Sequence, residues 1–322
     1  MLSRVANHIY WLGRYLERAE NYARFIDVNF NLMQDLPMDL KEQWQPLVAA
    51  TGDLELYKQK HESFDRSEVM HFLAFDLDNP NSMISAVTRA RENARIIREN
   101  LSKETWEKIN ELYYMLQEGC EKKMWKKEDP RKFFENVKNQ ILLIYGLADA
   151  TVARTEGWLF RQLGQMLERA DKTSRILDVK YHILLPSHME VGTPLDFLHW
   201  TALLKSVTGF NTYRRLYGTI DPSGVVEFLV LNKYFPRSIY YCLKEAEKYL
   251  HLISENITGG FKNSAEKSMG ELKSRLEFSE VNDIISTGLH EYLDALQLKI
   301  NHISDLIDSN FFRLKENVIV KS

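Results

Sequence analysis

Cysteine, glycine and proline are scarce in this chain: its 322 residues hold 2 Cys, 14 Gly and 8 Pro. Cys120 and Cys242 lie far apart and neither sits in a CxxC pair, which excludes a disulfide-framed small fold and a zinc site built on cysteine pairs. So few chain breakers disfavour a turn-rich β architecture and favour long helices. An excess of one charge is lacking as well. The formal net charge is −3, without the basic surplus that accompanies a nucleic-acid partner. The most continuous apolar stretch, residues 141–148, falls well short of the ~20 residues needed to cross a bilayer. The first 24 residues break up their apolar positions with Arg4, His8, Arg14, Glu17 and Arg18, unlike a signal peptide. The expectation is a cytoplasmic protein in a reducing compartment, with no membrane association. HExxH, paired ExxH, Walker and GxSxG motifs are all missing, and the nine histidines have no ligand spacing. Neither a metal nor a cofactor is expected.

What is present is ordinary globular composition, 44% hydrophobic and 27% charged, with helical periodicity. In the first segment Val5, Ile9, Leu12, Leu16, Ala19, Ala23, Ile26 and Phe30 alternate steps of four and three, the seam of one long helix. Ser3 is its candidate N-cap and Pro37 its expected end. Further helices are predicted at about 81–101, 103–119, 131–150, 155–183, 194–217, 236–256 and 281–314, with turns at residues 129–130, 221–222 and 259–260.

The chain also resembles itself. At an offset of 151, Leu12-Gly13 matches Leu163-Gly164, Leu16-Glu17-Arg18-Ala19 matches Leu167-Glu168-Arg169-Ala170, and Arg24 and Asp27-Val28 match Arg175 and Asp178-Val179. The offset then becomes 156, where Trp44, Leu47 and Tyr57 match Trp200, Leu203 and Tyr213, and Pro80 and Ser82 match Pro236 and Ser238. This order implies an all-α long-helix bundle made of two diverged tandem copies, 1–150 and 151–322, sharing one folded body with approximate two-fold symmetry. Two such large copies do not make a solenoid.

The repeated charges are the candidate site. Glu20–Arg24 and Asp171–Arg175 stand at i,i+4 and are expected to pair on the helix surface, while Glu17 has Arg14 within reach and Glu168 has Lys172. Arg18 and Arg169 have no acid three or four residues away. They must find solvent, a ligand or a distant carboxylate, and the structural alternative pairs Arg18 with Glu168 and Arg169 with Glu17 across the copies. Guanidinium suits carboxylate and phosphate alike. Arg91, Arg95 and Arg98 form a second stripe, able to grip an anionic group or simply to face water. Pro236-Arg237-Ser238 reads as a helix start from which Arg237 could reach a ligand, although a capping role suffices, and Arg161 extends the polar face before the second motif.

The opening Met1-Leu2-Ser3-Arg4-Val5-Ala6, the run Tyr10-Trp11-Leu12-Gly13-Arg14-Tyr15-Leu16-Glu17-Arg18-Ala19-Glu20-Asn21, and then Ala90 to Arg95, Trp106, Gly157-Trp158, the second Leu-Glu-Arg-Ala, Tyr213-Arg214-Arg215 and Pro236-Arg237-Ser238 resemble the alpha-E family in content and order. One departure is Gln165, where the second motif of that family often has arginine after glycine. The resemblance implies an all-helical protein working beside circularly permuted ATP-grasp proteins and transglutaminase-like proteins, hence in peptide or amide-bond metabolism. The expected function is an accessory or binding protein of an ATP-grasp-type ligase, more a binder than a catalyst. The alternatives are an enzyme using Glu17 or Glu168 as general base on a carboxylate substrate, and an oligomerisation module that forms a homo-oligomer.

Overall fold

The computed structural model describes residues 1–33, 43–182, 193–256 and 259–313. Among these residues there are helices and turns but no strand. The first half runs α1 (Ser3–Met33), three short helices α2 (Gln45–Thr51), α3 (Leu54–Lys58) and α4 (Arg66–Ala74), then α5 (Met83–Ile96), α6 (Lys103–Glu121) and α7 (Arg131–Thr151). The second half runs α8 (Glu156–His182), again three shorter helices α9 (Pro194–Ser206), α10 (Phe210–Tyr217) and α11 (Pro222–Val230), then α12 (Ile239–Ile253), α13 (Ser264–Glu277), α14 (Val281–Thr287) and α15 (Leu289–Ile307). A π turn, Asp308–Phe312, follows and sets Phe312 against Tyr10 with ring centroids 5.4 Å apart.

α1 and α8 are the two central helices. The seam read in α1 is buried from Ile9 to Phe30, and between Ala19 and Ile26 every side chain is buried, charged ones included. Such all-round burial requires a ring of neighbours. α5 and α7 cover α1, α12 and α15 cover α8, and two further contacts are exchanged: α9 packs on α1 and α2 on α8. Side-chain oxygens start several of these helices as the sequence allows. Ser82 accepts from the backbone N–H of Ser85, Ser102 from that of Thr105 and Ser238 from that of Tyr241.

Several boundaries differ from the periodicity. Ser3 is already helical, and the Leu2 carbonyl accepts the first backbone bond from Ala6. The stretch 194–217 is two helices, broken where Thr208 takes a positive φ of 56°. The stretch 281–314 is broken at Gly288, with φ 94°. Pro37 lies outside the described residues. No described helix is long and apolar enough to cross a membrane.

α1 and α8 run side by side in the same direction, with Met1 near Gly157, Tyr10 near Gly164 and Arg14 near Glu168. Two glycines permit this approach. A Cβ on Gly13 would collide with the carbonyl oxygen of Arg161, and one on Gly164 with that of Tyr10, each also lying within 3.2 Å of the carbonyl carbon. Gly146, inside α7, is the opposite case, with nothing within 4 Å of an added Cβ. Gly146→Ala is therefore expected to raise stability by about 0.5–1 kcal/mol, because alanine loses less backbone entropy in a helix. Denaturant unfolding checks this, and a loss of stability would contradict the open surroundings.

Candidate functional site

One turn beyond the glycine contact, the two Glu-Arg pairs meet between the central helices. Glu168 is fully buried and receives Arg14 Nε at 2.7 Å and Arg18 Nε at 2.7 Å, with Lys172 Nζ at 3.6 Å. Glu17, equally buried, receives Arg169 through Nε and a terminal nitrogen, both at 2.8 Å, and Arg237 at 3.2 Å. Asn21, Tyr145 and Gln165 complete its partners at 2.9, 3.0 and 3.3 Å. Each motif thus sends its arginine to the glutamate of the other, a reciprocal clasp across the helix pair.

The clasp extends outward on both sides. Glu20 holds Arg24 and Arg237, each at 2.7 Å, and Asp171 holds Lys172 at 2.8 Å and Arg175 at 3.1 Å. Arg24 then donates to the Ser206 carbonyl at 2.7 Å, and Arg175 to the Ala50 and Thr51 carbonyls at 3.4 and 3.3 Å. Each central helix is thereby tied to the short-helix loop of the other half. Arg18 also donates to Asn81, whose amide donates to Asp53.

Some expected partners change. Arg14 does not pair with Glu17; its guanidinium crosses to Glu168 and also donates to Tyr10 and Ser304. Glu17 already has two arginines from the far side, so the local partner is redundant. The Glu20–Arg24 and Asp171–Arg175 pairs form, but in the interior rather than on the surface. Arg237 is more than a helix-start residue: Ser238 caps α12, and Arg237 reaches both Glu17 and Glu20. Arg161 is elsewhere, paired with Asp149 at 2.7 Å. The Arg91–Arg95–Arg98 stripe is tied up locally. Arg91 donates to Asn110 and stacks on Tyr113, Arg95 pairs with Glu92 at 2.6 Å, and Arg98 donates to the Leu101 carbonyl. Asn81 and Tyr145 were not legible as site residues, although Asn81 occupies in the first Pro-x-Ser triplet the place of Arg237 in the second.

The charges in the clasp do not cancel. Arg14, Arg18, Arg24, Arg169, Lys172, Arg175 and Arg237 face Glu17, Glu20, Glu168 and Asp171, and Asp53 beyond Asn81 adds one more carboxylate. All four acids are ionised. Burial opposes the charge on Glu168, but Arg18, Arg14 and Lys172 outweigh it and hold the carboxyl well below the usual range. Burial likewise opposes the charge on Glu17, and Arg169 prevails over it. Asp171, against the same burial, is drawn down to about 2 by Lys172 and Arg175. The cations divide: burial lowers Lys172, and burial together with Arg237 lowers Arg24, whereas burial is outweighed by the facing carboxylates at Arg14, Arg18, Arg169 and Arg175, which are raised.

Because these carboxyls sit lower in the folded chain than in the unfolded one, their stabilisation is complete above ordinary carboxylate values of ~4 and is lost as pH falls through the folded values. Unfolding free energy is expected to fall steeply from pH 4 to pH 2, and less steeply in Asp171→Asn. A flat profile over that window would contradict the assignment.

The fold and this centre define an all-helical protein whose paired Glu-Arg motifs clasp two central helices. The chain belongs to the Alpha-E family, described as a predicted alpha-helical domain with a conserved ER motif, which it matches over residues 1–312. It is also similar to uncharacterised proteins of Mycobacterium bovis and of two strains of Mycobacterium tuberculosis, each 23% identical over 94% of this chain and 36% of the relative. The chain therefore spans about a third of the length of these curated relatives. No solved structure matches it.

Proposed function

We propose that the chain is a non-catalytic helical binding module that acts in the cytoplasm beside an ATP-grasp-type ligase in peptide or amide-bond metabolism, with a transglutaminase-like protein as a second partner. The observation that carries this reading is the cationic surplus of the clasp. It suits a carboxylate-bearing group of the ligase or its peptide-like substrate, received at the edge where Arg18 and Arg175 keep 12% and 16% side-chain exposure. The enzyme alternative is disfavoured, since against burial arginines hold the Glu17 and Glu168 carboxyls below the usual range, which makes them weak bases, and occupy the edges a substrate would need. In the Mycobacterium relatives the matching region is one part of a longer chain, which favours a module working next to other domains.

The same reading includes an origin in tandem duplication. Its support is the exchange of like contacts: Gly13 and Gly164 on each other's helix, Arg18–Glu168 against Arg169–Glu17, and Arg24–Ser206 against Arg175–Ala50. The two sites are not copies in charge. Around Glu17 stand Gln165 and Asn21, where Glu168 has Arg14 and Lys172.

The test is affinity purification of the tagged chain from its native cells, followed by ATP turnover of the recovered ligase with and without it. An ATP-grasp-type ligase is expected to co-purify and to change activity when the chain is removed. Arg175→Gln, which leaves Asp171 with Lys172, is expected to fold and to weaken the complex. Absence of any such ligase, or unchanged turnover, would contradict the proposal.

A further inference from the structure

A cleft of about 570 Å³, counted out to open solvent, lies between α1, α6, α7 and the start of α8, and shares no residue with the clasp. Its walls are apolar, with Leu16 from α1, Ile109 from α6 and Ala148 from α7, each at most 2% exposed. Trp158 lies along it, and among the described residues Arg161 is the one charged side chain in its lining.

The polar end of the cleft is crowded with donors. Arg161 donates to Asp149 Oδ1 at 2.7 Å, Trp158 Nε1 to the same oxygen at 3.2 Å, and Gln162 Nε2 to it at 3.4 Å. One carboxylate oxygen serves three groups. Asp149 is a loose holder of that place: its side chain is 45% exposed, and it sits in the last turn of α7, where the helix dipole disfavours negative charge. Asp149 can turn to water and leave the three donors to another carboxylate.

We propose that this cleft binds an amphipathic carboxylate, its aliphatic chain along Leu16, Ile109 and Ala148 and its carboxylate on Arg161 in place of Asp149. The charge of Arg161 selects an anionic head over a neutral or cationic one. Removing Asp149 takes away both a competitor and a like charge, so it strengthens binding, whereas removing Arg161 weakens it.

The full chain is titrated with sodium decanoate below its micelle concentration, read by calorimetry and by Trp158 fluorescence, with Trp158→Phe identifying that signal. Decanol and decyltrimethylammonium are the neutral and cationic comparisons. Saturable decanoate binding is expected, at least tenfold tighter than either comparison, weakened about tenfold in Arg161→Gln and strengthened in Asp149→Asn. Ala148→Phe, which fills the cleft, is expected to abolish it. Should Ala148→Phe fail to fold, Val152→Phe at the half-buried rim crowds the same space. The proposal is overturned by no saturable decanoate signal, by equal binding of the neutral or cationic chain, or by undiminished binding in the folded cleft-filling variant.

Discussion

Glu168→Gln is expected to destabilise the chain by about 3–5 kcal/mol, the cost of leaving buried charges without their partner. Arg14, Arg18 and Lys172 all converge on this carboxylate; Arg14 and Lys172 are buried, and Arg18 keeps only a 12% exposed edge. The amide keeps the shape and loses the charge, so the effect reports electrostatics rather than a cavity. Glu17→Gln is expected to follow the same direction with a smaller loss, since Asn21, Tyr145 and Gln165 also donate to that side chain and Glu20 remains for Arg237. An exposed pair offers the contrast. Lys122 and Glu118 meet on the outside of α6, each more than half exposed, and Glu118→Gln should change stability very little. Denaturant unfolding of the three variants decides the ranking. Equal, small effects would mean that the interior pairs behave like surface ones.

Gly13→Ala is expected to be at least as damaging as ordinary overpacking, about 1–3 kcal/mol, because the added methyl meets backbone rather than a movable side chain. A carbonyl oxygen of α8 cannot rotate away, so α1 and α8 must separate at their closest point. Separation there lengthens the Glu-Arg pairs one turn further on, and the loss should therefore exceed that of Gly164→Ala added to a chain already carrying Gly13→Ala. Gly146→Ala serves as the internal comparison, since the same methyl is placed on an open helix face. A Gly13→Ala variant as stable as the parent would show that the helices are not in contact at this point.

The seam of α1 and the two Leu-Glu-Arg-Ala motifs were readable because helical periodicity and self-comparison need only the sequence. The absence of an acid near Arg18 and Arg169 was equally readable, and it pointed correctly away from their own helices. The destination of Arg14 was not. Local spacing offered Glu17, and only the close parallel packing at Gly13 and Gly164 brings Glu168 nearer. Arg237 is 220 residues from Glu17, and its role depends on where the turn before α12 docks. The short helices are hard to read in the sequence for a different reason. α11 is apolar on nearly every side from Val225 to Val230, so it has no polar face from which a helical period could be read. α13 starts from an Asn263 cap after the turn at residues 259–260, and its alternation of polar and small residues hides the buried Met269, Leu272 and Leu276.

The most direct test of the clasp is a double-mutant cycle on Arg18 and Glu168, using Arg18→Gln, Glu168→Gln and the pair. Their 2.7 Å contact joins the two central helices between residues 150 positions apart, so no local helix term contributes. The clasp predicts a coupling energy on the order of 2 kcal/mol in unfolding free energy, the range measured for residues in one ion-pair network. Additive effects, with no coupling, would contradict it.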